Sequence, residues 1–233
     1  MRSALALMRA ASGASAGGGG GGTPPTLAGT GSNYGTTASL PVTLATATAT
    51  GDVVVVFATN YWANPAPVTG VTGLGATWTR LEGGTLGTME CWIGVNPTAG
   101  QTVVTIAYGG GGGQAVGYVC KWSGASATPA AHISASGTGT QKPTTGTMTS
   151  TAAKQVAVGT WYCENTSEFG GTAADLPSAW TSDHATVSFG NSSINLPAHF
   201  VTTAAAQSLE HKRSGNNTSG YGWAGAAVLL DPA

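Results

Sequence analysis

From residue 36 to the end of the chain, short runs of apolar and β-branched residues alternate with Gly, Pro and Asn at a fairly regular spacing. Runs of this length, bounded by turn-forming residues, are typical of β-strands, and no stretch favours a helix of normal length instead. The pattern therefore predicts an all-β fold, an antiparallel β-sandwich. The candidate strands are 36–46, 52–59, 76–82, 86–95, 101–108, 114–122, 144–149, 154–163, 185–189, 197–206 and 220–230.

Several of these runs alternate between inward and outward side chains, because successive residues of a strand face opposite sides of the sheet. This alternation places Glu90, Trp92 and Lys121 on outer faces. The run Val53–Phe57 is apolar on both faces, which predicts a strand that is central in the sandwich or covered on its second side. The residues predicted to face the core are Val104, Ile106 and Tyr108, then Val116, Tyr118, Cys120 and Trp122, then Met89, Cys91, Ile93 and Val95.

The chain carries little charge for its size. Only 7% of its 233 residues are charged, against about 25% in an ordinary soluble domain, and the net charge is −1. Such a surface lacks the electrostatic repulsion that keeps molecules apart in solution, so the composition favours association. The sequence lacks the clustered Lys and Arg of nucleic-acid-binding proteins, and no stretch approaches the roughly 20 apolar residues that cross a bilayer.

Residues 1–35 differ from the rest and are predicted to form an extended, Gly-rich amino-terminal arm, with the β-sandwich domain at 36–233. Ordering glycine costs more conformational entropy than ordering any other residue, and the arm has few apolar side chains to offset that cost. We therefore expect neighbouring subunits to immobilise the arm, and the arm to dock the protein into a larger assembly. The residues assigned to this role are Arg2, Leu5, Leu7, Met8 and Arg9, with Gly17, Gly18, Gly19, Gly20, Gly21 and Gly22.

Two features bear on where the protein is made. The apolar run Ala4–Met8 is too short for a secretory signal, and Arg9 follows it directly. The three cysteines, Cys91, Cys120 and Cys163, cannot all pair within one chain, and each lies in an apolar stretch where a free thiol behaves as a small hydrophobe. We expect synthesis in a reducing cytoplasm.

The titratable residues form no recognisable catalytic or metal-binding motif. Glu164 and Glu168 flank a Gly-rich loop, but their spacing favours solvated loop charges over a glycosidase pair. The four histidines lack the short spacings of metal sites, and the neighbouring Asp183 and His184 come nearest to a ligand pair. We therefore predict no catalytic residues, no metal site and no cofactor.

Four aromatic residues are candidates for contact with a glycan or a partner protein. Tyr61 and Trp62 stand at a strand exit and precede a Pro-stiffened loop, which can present flat apolar faces to sugar rings. Trp92 and Trp180 are further candidates, although aromatics that cap a sandwich core are commoner than binding platforms. The segment Glu-His-Lys-Arg at 210–213 is the densest charge cluster, and it is predicted to be a solvated hairpin tip.

The segments GDVVVVFAT, GATWTRL, MECWIGVNPTAGQTVVTIAY and AVGYVCKWSG, in this order, resemble a β-sandwich module of tailed-bacteriophage structural proteins, notably minor tail proteins of phages infecting actinobacteria. The resemblance covers about residues 36–124. Where the module is expected to end in Tyr-Ser-Gly, this chain has Trp122, Ser123 and Gly124. The resemblance implies a jelly-roll-like sandwich used as a virion building block, and it implies no reaction.

Together, the residues and the resemblance predict a non-enzymatic virion structural protein. We expect a minor tail or tail-tip component that is made in the host bacterial cytoplasm and assembles through its arm. Its expected partners are other copies of itself, with a trimer favoured, and other virion proteins. The alternatives are a capsid decoration protein, an adhesin that binds a host-surface carbohydrate, and a tail-borne glycan hydrolase.

Overall fold

The computed structural model describes residues 22–61, 67–83, 89–110, 113–137, 143–163, 176–177, 179–189, 192–212 and 222–233. Within these ranges the regular structure consists of antiparallel β-strands. The strands are β1 (Thr26–Gly35), β2 (Ser39–Thr43), β3 (Val53–Tyr61), β4 (Val68–Gly73), β5 (Thr77–Glu82), β6 (Glu90–Val95), β7 (Val103–Tyr108), β8 (Gln114–Ser123), β9 (Ala131–Gly137), β10 (Met148–Thr149), β11 (Val156–Cys163), β12 (Thr181–Ser182), β13 (Val187–Phe189), β14 (Ser192–Val201), β15 (Ser208–Leu209) and β16 (Trp223–Leu230).

The strands form four sheets that stack as layers. A three-stranded sheet, β2-β7-β4, covers one face of the five-stranded sheet β1-β8-β3-β6-β5. The other face of that sheet packs on a six-stranded sheet, β12-β14-β11-β16-β9, in which β13 also pairs with β14. The short pair β10-β15 covers the far side of the six-stranded sheet. The predicted all-β, antiparallel sandwich is confirmed.

The chain folds as two successive copies of one arrangement. In residues 22–124, the amino-terminal half, the first strand pairs with the eighth, the eighth with the third and the third with the sixth, while the second pairs with the seventh. Residues 125–233, the carboxy-terminal half, repeat these pairings with β9 to β16. The fourth strand differs, since β4 pairs with β7 but β12 pairs with β14. This eight-strand order is that of a jelly roll.

A hydrogen-bond network at one end of each half repeats at the level of single residues. Thr48 bonds to a turn through its backbone and its hydroxyl, and Ser150 does the same in the carboxy-terminal half. The matching pairs are Thr48 N–Gln101 O (2.8 Å) and Ser150 N–Gln207 O (2.9 Å), Gly100 N–Thr48 O (2.8 Å) and Ala206 N–Ser150 O (2.7 Å), and Thr48 Oγ1–Thr98 O (2.6 Å) and Ser150 Oγ–Ala204 O (2.9 Å). The two halves are therefore structural repeats.

The halves pack through their five-stranded and six-stranded sheets, and we call this junction the seam. At one edge β1 lies against β13, and at the other edge β9, the counterpart of β1, lies against β5, the counterpart of β13. Strands β8 and β16 contact β14 and β6 in the same reciprocal way. An approximate two-fold axis therefore relates the halves. Several of the largest buried side chains, including Trp122, Tyr118 and Phe57, lie in the seam.

The alternation of side chains predicted the inward faces well. Val104, Ile106 and Tyr108 are buried beneath β7, and the predicted inward residues of β8 and β6 are buried as well, apart from the half-buried Val95. The two-sided apolar run Val53–Phe57 lies in β3, the middle strand of the five-stranded sheet, and it is buried on both faces. That expectation is confirmed, because a sheet covers each side of β3.

The expectation that Lys121, Glu90 and Trp92 face outward into solvent is wrong. Lys121 is 4% exposed, Glu90 2% and Trp92 9%. The three-stranded sheet and the residues that follow β2 cover this face, so its polar side chains pair internally. Lys121 Nζ lies 3.4 Å from Oδ2 of Asp52, and Arg80 Nε lies 3.2 Å from Oε2 of Glu90.

The sandwich begins earlier along the chain than the sequence predicted. Thr26–Gly35, assigned to the arm, forms β1 and pairs along its length with β8. Strands β4 and β9 were not predicted either, because their Gly, Thr, Ser and Ala residues carry a weak strand pattern that pairing with a neighbour overrides. The candidate strand 197–206 overlaps only the second half of β14, which spans Ser192–Val201.

Candidate functional site

The segment that precedes the sandwich joins the body at one end of the seam. Pro25 is buried, and Leu27 packs against the core shared by the two halves. Gly22 lies beside Pro232, since a Cβ on Gly22 would come within 3.0 Å of Pro232 Cβ. We call residues 22–27 the root. The root therefore contacts the junction between the two halves.

A pocket of about 380 Å³ opens beside the root, and its walls come from both halves. Trp122 belongs to β8, whereas His199 and Val201 belong to β14. Among the described residues, the lining consists of Thr23, Pro24, Pro25, Thr26, Leu27, Trp122, His199 and Val201. This seam pocket is therefore mainly apolar, and its side-chain hydrogen-bonding groups are two threonine hydroxyls, an indole and an imidazole.

Asp183 fixes the orientation of His199. Nδ1 of His199 donates a hydrogen bond to Oδ1 of Asp183, whose side chain is 1% exposed. Burial raises the pKa of Asp183, although the hydrogen bond and the charge of His199 act in the opposite direction. The Trp122 ring packs edge-on against the imidazole, with ring centroids 5.3 Å apart. Nδ1 is thus engaged with Asp183, and His199 contributes to the wall of the pocket.

A second histidine, His184, precedes β13 and contacts β1 across the seam. Nδ1 of His184 donates to Ala185 O over 2.8 Å. Ser32 Oγ lies 3.4 Å from Nε2 of the same ring, which is the long end of a hydrogen bond. Serine and histidine can act as nucleophile and base in enzymes, but here the contact between Ser32 and His184 joins the two halves.

A third histidine closes the opposite edge of the seam, between β5 and β9. His132 Nδ1 lies 2.7 Å from Oε1 of Glu82, and Ser134 Oγ donates to Oε2 of Glu82 over 2.7 Å. Burial acts to raise the pKa of Glu82, but the hydrogen bonds from His132 and Ser134 outweigh it, so the pKa is lowered. Ser134 occupies in β9 the place that Ser32 occupies in β1, so both edges of the seam use the same serine.

The residues predicted to form the assembly arm lie outside the described residues, with the exception of Gly22. Its neighbour Pro232 places Gly22 at the start of the root. Arg2, Leu5, Leu7, Met8 and Arg9 keep their assignment as a prediction.

Of the four aromatic candidates for glycan contact, the structure describes the side chains of Trp92 and Trp180. Trp92 is buried beneath the three-stranded sheet, where the Arg80 guanidinium lies 4.8 Å from its ring centroid. Its assignment to a surface contact is therefore wrong. Trp180 is half-buried, and it packs against Phe200 and His211 at centroid distances of 6.2 and 4.9 Å. Trp62 and the side chain of Tyr61 lie outside the described residues.

The charged candidates separate in the same way. Glu164 and Glu168 lie outside the described residues. In the segment predicted to be a solvated hairpin tip, Lys212 Nζ pairs with Glu210 Oε2 over 2.8 Å at the surface. His211, between them, is completely buried, so that part of the prediction is wrong. Cys91 and Cys120 are free and buried, as expected for small apolar side chains.

Sequence reasoning noticed Asp183 and His184 as neighbours, but it missed what each of them contacts. Asp183 pairs with His199 because the two-residue strand β12 lies antiparallel to β14, with Thr181 opposite His199. A strand of two residues carries no periodic signal from which that register could be read. The Asp183–His199 pair therefore emerges only from the folded chain.

Comparisons with known proteins add no relative to this site. No family model matches the chain, and no curated protein or solved structure matches it. In the ranges that the structure describes, no helix has the length and apolar character that a membrane crossing requires. Within the same ranges, no group of three or more His, Cys, Asp and Glu side chains is placed to hold a metal ion. The functional argument therefore rests on the residues and their geometry.

Proposed function

We propose that this protein is a non-enzymatic structural protein of a bacteriophage virion, a minor tail or tail-tip component that assembles through its amino-terminal segment. The observation that carries the proposal is the root, which is built into the junction of the two halves. A segment anchored there couples a docking contact to both halves at once. The expected partners are further copies of the chain, with a trimer favoured, and other virion proteins.

Two features of the chain support an assembly role. Only 8 Lys and Arg and 9 Asp and Glu occur in 233 residues, so copies approach one another against little electrostatic repulsion. The segments between residues 36 and 124 resemble a module of phage tail proteins, and the jelly-roll strand order suits such a module. A fold hosts many functions, so the assembly role has to be tested on the segment itself.

Deletion of residues 1–21 tests the proposal, because the strands of the body all follow residue 25. We expect the shortened protein to keep its β-sheet circular dichroism and its cooperative unfolding. We also expect it to elute as a monomer in size-exclusion chromatography with light scattering, whereas the full chain forms the oligomer. An oligomer of unchanged mass after the deletion would contradict the proposal.

A full-length control separates the apolar anchors from the length of the segment. Replacing Leu5, Leu7 and Met8 by serine keeps the length of the segment and removes these three large apolar side chains. We expect this variant to lose assembly as the deletion does.

In an infected host, the full chain should sediment with tails rather than with capsids, and recovery with capsids would favour the decoration-protein alternative.

A further inference from the structure

The seam pocket has the chemistry of a site for apolar side chains attached to a peptide backbone. Its volume of about 380 Å³ exceeds twice the roughly 150 Å³ of a dry apolar cavity that takes up benzene. Pro24, Pro25, Leu27 and Val201 supply apolar walls, and none of the described lining residues is an acid, a lysine or an arginine. Burial of leucine-sized side chains there is favourable, whereas a charged ligand would meet no opposite charge.

The pocket also supplies an imidazole that can form a hydrogen bond with a peptide backbone. Asp183 accepts the hydrogen bond from Nδ1 of His199, so Nε2 is the ring nitrogen that Asp183 does not engage. The Asp183 carboxylate is fixed by burial, and this fixes the plane of the imidazole. A peptide that inserts its side chains between the pocket walls needs such a partner, because an unpaired backbone polar group in an apolar site is costly.

We propose that the seam pocket of one copy receives the apolar residues Leu5, Leu7 and Met8 of a second copy. The inference deepens the proposed function and rests on it, since it names the surface on which the amino-terminal segment docks. Within the first 21 residues these three side chains lie within four positions of one another, separated from the root by the glycine run.

Reach and charge favour a second copy as the occupant. Fourteen residues separate Met8 from Thr23, and an extended chain of that length spans about 50 Å. This is comparable to the width of a compact chain of this size, so the apolar anchors reach an adjacent seam. Residues 1–21 carry two arginines and no acid, which leaves six basic and nine acidic residues, a balance of −3, on the rest of the chain. Arg2 and Arg9 flank the three apolar side chains, so the attraction between this segment and a body of opposite net charge acts outside the pocket.

Disulfide trapping between two singly substituted full-length chains tests the inference. One chain carries Leu7→Cys and the other Val201→Cys, both in a Cys163→Ser background, while Cys91 and Cys120 are buried. We expect mild oxidation of the mixture to give a covalent dimer that contains one chain of each kind, identified by mass spectrometry.

Val103 provides the matched control, because it is also an exposed valine on a strand, 44% exposed against 38% for Val201. It lies on β7 in the three-stranded sheet, away from the seam. We expect at least a fivefold lower yield of mixed dimer with Val103→Cys than with Val201→Cys. Equal yields at the two positions would overturn the inference.

A doubly substituted variant distinguishes docking on a second copy from docking within one copy. If the double variant Leu7→Cys and Val201→Cys cross-links only within its own chain, while the mixed variants stay separate, the inference is wrong. Loss of assembly on deletion of residues 1–21, together with no trapping at Val201, would leave the proposed function in place and remove only this docking surface. Retained assembly after the deletion would remove both.

Discussion

The two halves solve one packing problem with different chemistry. In the amino-terminal half, the turn before β3 is closed by Asp52, which accepts hydrogen bonds from Ala49 N (2.8 Å) and Ser123 Oγ (2.6 Å) and pairs with the buried Lys121. The structure places an ion pair between layers, at a position that the strand pattern marks as solvent-facing.

The carboxy-terminal half closes the same turn without a buried ion pair. Gln155 stands where Asp52 stands, and it accepts from Thr151 N (2.9 Å) and donates to Oδ1 of Asp231 (2.7 Å). Leu229 occupies the strand position of Lys121, as the pairing of β16 with β11 shows. A neutral amide and a leucine thus suffice for this fold. The fold therefore does not require the Asp52–Lys121 ion pair, but removing one of its two charges leaves the other buried and unpaired.

The largest effect is expected from breaking the ion pair on one side only. Lys121→Met leaves the Asp52 carboxylate buried without its partner charge, and we expect the free energy of unfolding to fall by about 3–5 kcal/mol. Chemical denaturation monitored by tryptophan fluorescence measures the change. The double variant Asp52→Asn with Lys121→Leu, which imitates the carboxy-terminal half, should recover most of it.

Lys212→Met is the matched control for that change, because the side chain of Lys212 is 48% exposed and its pair with Glu210 lies at the surface. Its effect should stay below about 1 kcal/mol. A comparable loss in the two lysine variants would show that the buried pair of the amino-terminal half has no special role.

The second comparison concerns two corresponding glycines, Gly117 on β8 and Gly225 on β16. A Cβ at Gly225 would lie 2.3 Å from Thr144 O, which is backbone, whereas a Cβ at Gly117 would lie 2.5 Å from Cδ1 of Ile106, the end of a flexible side chain. We expect Gly225→Ala to cost about 3 kcal/mol and Gly117→Ala about 1 kcal/mol, as measured by urea denaturation. Equal costs would mean that the two outer sheets yield to the same degree.

The third comparison uses pH. In the amino-terminal half, β7 buries the apolar Ile106 and Tyr108, whereas the carboxy-terminal half buries His211 in the corresponding region. Burial lowers the pKa of His211 to about 3. The unfolded chain therefore takes up a proton below about pH 6.5 that the folded chain refuses, and stability falls on acidification by about 1.4 kcal/mol per pH unit in that window.

His211→Phe keeps an aromatic ring against Trp180 and removes the titrating group. Between pH 7 and pH 5, the unmodified protein should lose about 2 kcal/mol more than the variant, because the other titrating groups are common to both. Thermal unfolding at a series of pH values provides the measurement. Parallel pH profiles would show that His211 is not buried in its neutral form.

The sequence was sufficient for the fold class, and the reason is local. Alternation marks the inward residues of a strand, and the two-sided apolar run Val53–Phe57 marks a strand with a sheet on either side. Alternation does not reveal when the polar side of a strand is covered as well. Lys121, Glu90 and Trp92 were placed outside for this reason, since their partners Asp52 and Arg80 come from other strands and turns.

The internal repeat and the site were harder to predict, because the repeat is visible in backbone hydrogen bonds and the site depends on the register of paired strands. Thr48 and Ser150, or Gln101 and Gln207, perform the same bonding with only weak sequence likeness around them. The seam pocket needs residues 23–27 beside β14, a contact between segments far apart along the chain that no local pattern encodes. Such long-range juxtapositions follow from topology, which composition and periodicity leave open.

The smallest expected effect is also the most symmetric test of the repeat. Gly100 and Ala206 occupy corresponding turns, with φ of 84° and 58°, and their N–H groups bond to Thr48 O and Ser150 O. A side chain strains this left-handed conformation, and a Cβ on Gly100 would meet no atom within 4 Å, so the backbone alone decides the cost. Gly100→Ala should destabilise the protein by about 1 kcal/mol, and Ala206→Gly should stabilise it by up to about 1 kcal/mol. The exchange of both residues should then leave the midpoint of urea denaturation nearly unchanged, whereas a large net shift would mean that the two turns are not equivalent.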